Sequence, residues 1–574
     1  MPLEEPARIA RELASHGYAA DREAITLLAR AEDTADALAL AVEATPDGAL
    51  KLSKEDVRDV LDGQPRGRRD PIGDPKAESI TSTESETAGG RPDESDASEE
   101  DDPPVSTGDS GAESKGVVGQ SPVETKGSSV GDATRDRAAG SVAADPLDEP
   151  AAGSIAAEPT ADSEGEARTV DPSLRSVEIE NDMTGYSTGT GEYDDFVATF
   201  RDRYERLADT LRGRVNHRNA TAIDASPGGG DAGMIGMISD IRSTASGHWL
   251  VELEDTTGVF PCLVMKDKEI AGLVEELLYD EVIGVEGTLS DDGGILFVDD
   301  LYFPDVPRTY EPSTADRHVQ AALISDVHVG SQEFVVDAWS EFASWLHTPE
   351  AARIEYLLIA GDMVEGVGVY PDQDEELDIV DIFDQYRAFS EYLKEVPGDI
   401  EIVMIPGNHD AVRLAEPQPG FDEELREIMT AHDARIASNP AVVTVEGVSV
   451  FMYHGVSLDE VIAELPEEKA NYDEPHRAMY QLLKKRHVAP QFGGHTRIAP
   501  ETKDYLVVDE VPDVFHTGHV HKLGWGKYRN VLAVNSGCWQ AQTEFQRSVN
   551  IDPDVGFAPV LDLDTLDMTV RKFS

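Results

Sequence analysis

Short aliphatic runs alternate with longer amphipathic runs over the C-terminal part of the chain, from about residue 318 onward. Aliphatic runs of this length predict buried strands, and the runs between them repeat apolar residues at helical spacing. Alternation of these two element types is the pattern of an α/β fold. The strand candidates are VQAALIS, IEYLLIA, IEIVMIP, VSVFMYH, DVFHTG and NVLAVNS, and the clearest helix candidates are VVDAWSEFASWLH and DIFDQYRAFSEYLKEV.

A second pattern precedes this region. From about 216 to 307, apolar and polar residues alternate over short runs that end at glycine-rich turns, which predicts strands joined by hairpins. A five-stranded Greek-key barrel of the oligonucleotide-binding (OB) type suits this length and turn spacing. The alternative is a small barrel used only for packing, because Trp249, Phe260 and Phe297 suit a core as well as a stacking surface. An amphipathic helix is predicted just before the barrel, over 192–214.

The N-terminal third of the chain has a different organisation. Residues 1–63 carry apolar residues at roughly helical spacing, which predicts a small helical domain without a catalytic role that docks a partner. Residues 64–180 are rich in Ser, Gly, Asp, Glu and Pro, and such a composition buries too little apolar surface to fold. The sequence therefore predicts a disordered acidic linker there, followed by a helix and barrel over 190–307 and the α/β domain over 318–574.

The charge of the chain changes what a nucleic-acid partner would require. Net charge is −65, with 113 acidic against 48 basic residues. This balance is typical of proteins from salt-accumulating, halophilic organisms, where a Debye length of roughly 3 Å at 1 M salt screens self-repulsion. The alternative is an acidic protein that merely avoids nucleic acid. General electrostatics then disfavours contact with a phosphate backbone, so any bound nucleic acid needs local positive charge.

The positions of the cysteines and the lengths of the apolar runs further limit the class of protein. Cys262 and Cys538 lie far apart, which disfavours a disulfide framework or a CxxC zinc site. The sequence contains no apolar run of signal-peptide or membrane-spanning length. We therefore expect a soluble cytoplasmic protein that has no membrane partner.

Five of the predicted α/β strands are followed immediately by residues that can bind metal. Ligands of open α/β sheets bind beyond the carboxyl ends of the strands, so these side chains should meet at one edge. Carboxylate and imidazole groups suit Mn, Fe or Zn, and an amide oxygen adds a neutral ligand. Two cations about 3.5–4 Å apart can clamp a phosphate and activate a water, which also supplies local positive charge. In chain order the residues are Asp326, His328, Asp362, Asn408, His409, His454, His519 and His521.

The order D-x-H, G-D, G-N-H-D, H and G-H-x-H resembles the calcineurin-like metallophosphoesterases, over roughly residues 320–540. The resemblance implies a two-layer β-sandwich flanked by helices and two divalent cations, with Mn²⁺ favoured and Mg²⁺, Fe²⁺ or Zn²⁺ as alternatives. It also implies that His409 is not a ligand but stabilises or protonates the leaving oxygen. The ligands so implied are Asp326, His328 and His521 for one cation, Asn408, His454 and His519 for the other, and Asp362 as the bridge.

A narrower resemblance comes from a barrel that directly precedes such a domain and from ISDVHVGSQEF, IPGNHDAVR, VAPQFGGHTRIAPE and NSGCWQAQTEFQ. From about residue 190 to the end, the chain is similar to the small subunits of archaeal D-family DNA polymerases. That family implies a 3′→5′ exonuclease that degrades single-stranded DNA and proofreads. Its partner in a heterodimer is a large subunit that carries DNA synthesis, and other replication factors are further candidate partners.

The chain differs from other related polymerase subunits in the metal ligands that it retains. Related small subunits of eukaryotic replicative polymerases have lost metal ligands, whereas every ligand position stands in this chain, which favours activity. His495 and Arg497, in GGHTRIAPE, are candidates for contact with the DNA backbone, and a purely structural loop is an equal alternative.

Two other functions remain open. The chain could be an architectural subunit that stabilises the polymerising subunit and keeps the metal motif as a relic. It could also be a phosphomonoesterase acting on proteins or nucleotides, which the strand-end residues alone would permit. The preceding barrel and the CWQAQTEFQ segment argue against the phosphomonoesterase.

Overall fold

A computed structural model of the chain describes residues 19–20, 28, 51–52, 153–155, 170–187, 191–369, 373–548 and 551–573. The chain divides into two units, Met1–Ala133 and Thr134–Ser574. In the first unit, strands β1 (Ala19–Ala20) and β2 (Lys51–Leu52) pair in parallel, and Leu28 is helical and buried. The rest of the helical domain predicted over 1–63 lies outside the described residues, as does most of the linker predicted over 64–180.

The second unit is a mixed α/β structure. Its strands are β3 (Gly153–Ile155), β4 (Val177–Glu180), β5 (Asp231–Ser243), β6 (Trp249–Asp255), β7 (Gly258–Val264), β8 (Val282–Leu289), β9 (Leu296–Tyr302), β10 (Gln320–Ile324), β11 (Ile354–Ala360), β12 (Glu401–Ile405), β13 (Arg435–Ile436), β14 (Ala441–Val445), β15 (Val448–Met452), β16 (Val514–Thr517), β17 (Leu523–Tyr528), β18 (Val531–Ser536), β19 (Phe557–Asp562) and β20 (Asp567–Lys572). Its helices are α1 (Tyr193–Leu211), α2 (Ala220–Asp224), α3 (Ala271–Val274), α4 (Val336–Leu346), α5 (Ile382–Leu393), α6 (Glu423–Ile428), α7 (Ser457–Glu464), α8 (Pro475–Lys485) and α9 (Glu544–Ser548).

Strands β5 to β9 close into the five-stranded barrel that the alternating pattern predicts. The order around the barrel is β5-β6-β7-β9-β8, and the parallel pair of β7 and β9 completes the closure. Phe260 belongs to the barrel core, Trp249 is half-buried against it, and Phe297 is 36% exposed. A closed five-stranded barrel is thus confirmed, and its assignment to the OB type stays a prediction.

The predicted amphipathic helix over 192–214 is confirmed as α1. Tyr204 and Leu207, on its apolar face, pack in one cluster with residues of β5 and β8 of the barrel. Phe196 and Phe200 make edge-to-face contacts with Phe492, with ring centroids 5.3 and 5.4 Å apart. The helix therefore packs against both the barrel and the loop after α8.

The α/β pattern predicted from residue 318 onward is confirmed as two sheets. One has the order β13-β12-β11-β10-β19-β20-β3 and the other β17-β18-β16-β15-β14-β4. Strands β10 to β13 run parallel to one another, as do β15, β16 and β18. An aliphatic core lies between the sheets and includes Leu323, Leu358 and Val403 from the first and Val443, Val450 and Val534 from the second.

Helices cover the outer faces of both sheets. Helices α4 and α5 place Trp339, Phe342 and Phe389 against the first sheet, and α7 and α8 place Leu458 and Leu482 against the second. Alternate residues of each inner strand thus face the inter-sheet core or a helix layer, which explains why these strands read as continuous aliphatic runs. None of the helices in the described part of the chain is long and apolar enough to cross a membrane.

The linker predicted over 64–180 ends too late. Strand β4 pairs antiparallel with β14, and Val177 and Ile179 pack against the inter-sheet core. Strand β3 pairs in parallel with β20 at the edge of the other sheet. The segment VEIE buries every second residue partly, so its alternation marks a strand despite the acidic context.

Candidate metal centre

The predicted site residues follow parallel strands of both sheets, and five of the eight have an unusual backbone conformation. Asp326, His328, Asp362, His519 and His521 all have positive φ, between 51° and 71°. Few non-glycine residues adopt this left-handed conformation, and such strain clusters at functional sites. Each turn directs its side chain back over the carboxyl ends of the strands, where the sequence predicts a ligand-binding edge.

The residues predicted to bind the first cation lie together. The Nε2 atoms of His328 and His521 face each other at 3.0 Å. Oδ1 of Asp326 lies 3.5 Å from Nε2 of His521 and 3.9 Å from Nε2 of His328. All three residues are buried. Two facing imidazole nitrogens beside a buried carboxylate form a donor set that suits a divalent transition-metal cation.

The residues predicted to bind the second cation form an adjacent cluster. Nε2 of His454 lies 3.1 Å from Oδ2 of Asp362 and 3.0 Å from Oδ1 of Asn408. One donor atom each of Asp362, His454 and His519 lies within 4.8 Å of the others. Oδ2 of Asp362 is also 3.8 Å from Nε2 of His328, so this carboxylate stands between the clusters as a bridge would.

The electrostatics of the site favour positive charge beside its carboxylates. Burial alone would raise the pKa of Asp362, yet the charges of His454 and His409 hold it well below its usual value. Burial likewise opposes a charged His454, but the Asp362 carboxylate raises the pKa of that imidazole to about 10. Bound divalent cations would supply the same positive charge, so the donor set fits a metal centre.

Two glycines let the chain approach these carboxylates. A Cβ on Gly407 would lie 2.2 Å from Oδ1 of Asp362, and one on Gly518 would lie 2.3 Å from Oδ2 of Asp326. The backbone N–H of His409 donates to Asp362 Oδ1 at 2.8 Å, and that of the residue after Gly518 donates to Asp326 Oδ2 at 3.0 Å. These close approaches explain why glycine precedes the polar residues in GNHD and GHVH.

His409 and His328 share a contact that the sequence prediction missed, namely Glu365. Nδ1 of His409 donates to the Glu365 carbonyl oxygen at 2.8 Å, and Nδ1 of His328 lies 2.9 Å from Glu365 Oε2. Burial would raise the pKa of Glu365, but His328 lowers it to about 2. Its place three residues after Asp362, in GDMVEG, was the available signal.

Two further residues, outside the predicted ligand set, contact ring nitrogens of predicted histidine ligands. Oδ2 of Asp459 lies 3.1 Å from Nε2 of His519, and the Gln546 amide lies 2.8 Å from Nδ1 of His521. Such outer contacts fix the orientation of metal-binding imidazoles. Neither residue follows a strand, and therefore the strand-end pattern could not identify them.

The clusters lie at a cavity of about 150 Å³, here called the histidine cleft, which is lined by His328, Asp362, Glu365, His409, Asp459, Tyr472, His519, Val520, His521, Gln540, Thr543, Gln546 and Ile551. These described lining residues include no Lys and no Arg. His495 and Arg497 are not among them. Arg497 is exposed, and its carbonyl accepts from the Glu416 backbone N–H at 2.8 Å, so the loop has at least a structural role.

Comparison with known proteins identifies the family to which the chain belongs. Residues 321–522, which contain all the predicted ligands, match the family model of the DNA polymerase alpha/epsilon B subunits. The chain is 60% identical to the DNA polymerase II small subunit of Halobacterium salinarum, over 100% of both chains. It is 41% identical to that of Archaeoglobus fulgidus, over 68% of this chain and 80% of the relative. The chain belongs to the family of DNA polymerase II small subunits, and the predicted resemblance to polymerase small subunits is confirmed.

One further relative and one solved structure complete the comparison. The DNA polymerase II small subunit of Pyrococcus furiosus is 41% identical, over 64% of this chain and 62% of the relative. An asparaginyl-tRNA synthetase from Pyrococcus horikoshii matches with 16% identity and a TM-score of 0.14, over 15% of this chain and 22% of that chain. That likeness is too slight to bear on fold or function.

Proposed function

We propose that this chain is a calcineurin-like 3′→5′ exodeoxyribonuclease within a heterodimeric replicative DNA polymerase. Its partner is the large catalytic subunit, which carries DNA synthesis, and its substrate is the single-stranded 3′ end exposed during proofreading. Membership of the small-subunit family supports the polymerase assignment. The observation that carries the nuclease assignment is the convergence of carboxylates and imidazoles from both sheets into two adjacent donor clusters.

The chemistry of the donors supports a centre of two divalent cations, Mn²⁺ by preference. When bound, the cations would supply positive charge for the phosphodiester and activate a water for in-line attack. This assignment also accounts for the absence of Lys and Arg among the described residues of the histidine cleft. The residues that would hold the cations are Asp326, His328 and His521 on one side, Asn408, His454 and His519 on the other, and Asp362 between them.

His409 is placed to handle the proton of the leaving group. A carbonyl oxygen only accepts hydrogen bonds, so the contact with Glu365 fixes a proton on Nδ1 of His409 and leaves Nε2 for the substrate. The His409 side chain is 18% exposed, and a bound strand can reach it. As the P–O bond breaks, Nε2–H of the imidazolium donates its proton to the leaving 3′-oxygen. The water oxygen remains on the released 5′-nucleotide.

A gel assay with the full chain tests the proposal. Single-stranded, mismatched and 3′-recessed DNA are incubated with wild type and His409→Ala in high KCl with Mn²⁺. We expect stepwise shortening from the 3′ end by wild type and not by the variant. His347→Ala, an exposed histidine at the end of α4, is the matched control and should cleave like wild type. No cleavage by wild type, alone or with the large subunit, would contradict the nuclease and favour an architectural role.

A further inference from the structure

We propose that Tyr472 is a stacking platform for the terminal base of a single-stranded DNA end bound in the histidine cleft. Tyr472 lies on the loop between α7 and α8, outside every motif that predicts the metal centre. The inference rests on the proposed function, because it concerns how the same cleft holds its substrate.

The position of the ring is fixed relative to the metal centre. The Tyr472 hydroxyl donates to Oδ1 of Asp459 at 3.1 Å. The other oxygen of that carboxylate lies 3.1 Å from Nε2 of His519, a predicted ligand. One carboxylate thus separates the phenol from the centre, so a base stacked on the ring keeps its own phosphate close to the residues that would hold the cations.

The chemistry of the cleft makes stacking the suitable way to hold a strand. Tyr472 is 37% exposed and, apart from histidines, is the only aromatic side chain among the described residues that line the cleft. Those residues include no Lys or Arg, and the chain carries a net charge of −65, so phosphate contacts with protein side chains add little attraction. A base stacked on an aromatic ring gains affinity without charge, and it does so for every base.

The loop that carries Tyr472 is held from two directions. At its end, the Asn471 side chain accepts from the backbone N–H of Glu474 at 2.8 Å. Near its middle, Lys469 makes an ion pair of 2.9 Å with Glu276, a residue just after α3 on the barrel side. A braced loop loses little conformational entropy when a base docks, and preorganisation of this kind raises affinity. The barrel therefore contributes to the platform indirectly, by anchoring this loop.

The platform is tested by binding rather than by cleavage. Fluorescence anisotropy with the full chain, in KCl with Ca²⁺ to slow cleavage, gives the Kd for a short labelled strand. One strand ends in a normal 3′ nucleotide and the other in an abasic one. Tyr472→Ala should weaken binding of the normal strand roughly 5- to 150-fold, the effect of losing one base–aromatic stack. It should leave the already weaker binding of the abasic strand unchanged.

Two further variants make the result specific. Tyr472→Phe keeps the ring and should bind the normal strand like wild type. Tyr279→Ala removes a tyrosine of similar exposure, 42%, on the barrel side and should have no effect. If wild type and Tyr472→Ala each bound the normal and the abasic strand with the same Kd, the platform proposal would be wrong. Equal weakening by Tyr472→Phe and Tyr472→Ala would also overturn it, because the hydroxyl would then act by positioning Asp459.

A separate measurement distinguishes failure of the platform from failure of the nuclease. Wild type is assayed with Mn²⁺ on bis(p-nitrophenyl) phosphate, a small phosphodiester without a nucleobase. If wild type hydrolysed the small phosphodiester but bound the normal and abasic strands equally, the result would count against the platform alone. A clear difference between strands without any phosphodiester hydrolysis would count against the nuclease and leave the platform in place.

Discussion

Glu365 connects two histidines that have different predicted roles. Its carboxylate contacts His328, a predicted ligand, and its carbonyl oxygen accepts from His409, the predicted proton donor. The Gln540 amide donates to the same carboxylate at 2.6 Å, so the group is held on more than one side. One buried residue can therefore orient both a predicted ligand and the predicted proton donor.

Glu365→Gln tests this connection. The substitution removes the charge beside His328 but keeps the backbone carbonyl that holds His409. We expect Mn²⁺ affinity or kcat/KM to fall about 10- to 100-fold, as is usual when the outer partner of a metal-binding histidine is changed. Calorimetric titration with Mn²⁺ and single-strand cleavage rates measure the two quantities. Glu341→Gln, at an exposed position of α4, is the control, and equal values for both variants would show that Glu365 has no such role.

Variants at Asp362 and His409 should lose cleavage for different reasons. Asp362→Ala removes the carboxylate between the clusters and should abolish cleavage together with metal binding. His409→Ala should retain metal and lower kcat by about 10²- to 10⁴-fold, the usual contribution of general acid catalysis. Metal content after dialysis and single-turnover rates separate the two outcomes. If His409→Ala lost its metal, the role assigned to His409 would be wrong.

Single residues were predictable from the sequence where a strand end fixed their position. Asp326 and His454 each follow an aliphatic run by two residues, and strand geometry alone places them at the sheet edge. Asp459 and Gln546 lie on helices, and Tyr472 lies on a loop. Their contacts depend on the paths of long connections, for which the sequence carries no periodic signal.

At the scale of elements, helix α1 joins the α/β domain through a buried network. The Arg203 guanidinium lies 2.7 Å from Oδ2 of Asp504 and donates to the Pro490 carbonyl at 2.6 Å. Nε2 of His487 lies 2.9 Å from the same Asp504 oxygen. Burial, with the nearby charge of Arg203, lowers the pKa of His487 to about 4. The network thus keeps this histidine neutral inside the fold.

This network predicts a pH dependence of stability. The pKa of His487 is about 4 in the folded chain against 6.5 for an ordinary histidine, so between these values only the unfolded chain takes up the proton. The stabilisation is complete above pH 6.5 and is lost as pH falls toward 4, by roughly 3 kcal/mol in all. Denaturant midpoints of wild type and His487→Gln, measured from pH 7 to 4, should show a shallower slope for the variant. Equal slopes would mean that His487 does not contribute.

Elements were predictable in proportion to their length and periodicity. Helix α1 shows its apolar face over 19 residues, and its bounds lie close to the predicted ones. Strand β4 has 4 residues, of which only Val177 and Ile179 are apolar, and it follows a long acidic stretch. What stabilises β4 is its pairing with β14, more than 250 residues later, and local composition cannot reveal such a partner.

At the scale of the whole molecule, a net charge of −65 makes stability depend on salt. Repulsion among exposed carboxylates is screened over roughly 8 Å at 0.15 M salt and 3 Å at 1 M. We therefore expect the Tm to rise steadily as KCl increases from 0.15 M into the molar range, as measured by scanning calorimetry. Because the predicted cause is screening, NaCl at equal ionic strength should act alike. A Tm independent of salt would contradict the halophilic interpretation of the composition.

The same charge balance predicts how DNA binding responds to salt. A protein that neutralises Z phosphates of a single strand with Lys or Arg shows a slope of log K against log[salt] of about −0.7Z. The described residues of the histidine cleft include no Lys or Arg, so under the proposals above the contacts there would come from bound cations and from stacking on Tyr472. With the divalent cation held constant, anisotropy titrations over a range of KCl should therefore give a shallow slope. A steep slope would place the binding energy on a basic surface elsewhere. The exposed Arg497 is the first residue to replace in that case, with exposed Arg201 of α1 as its control.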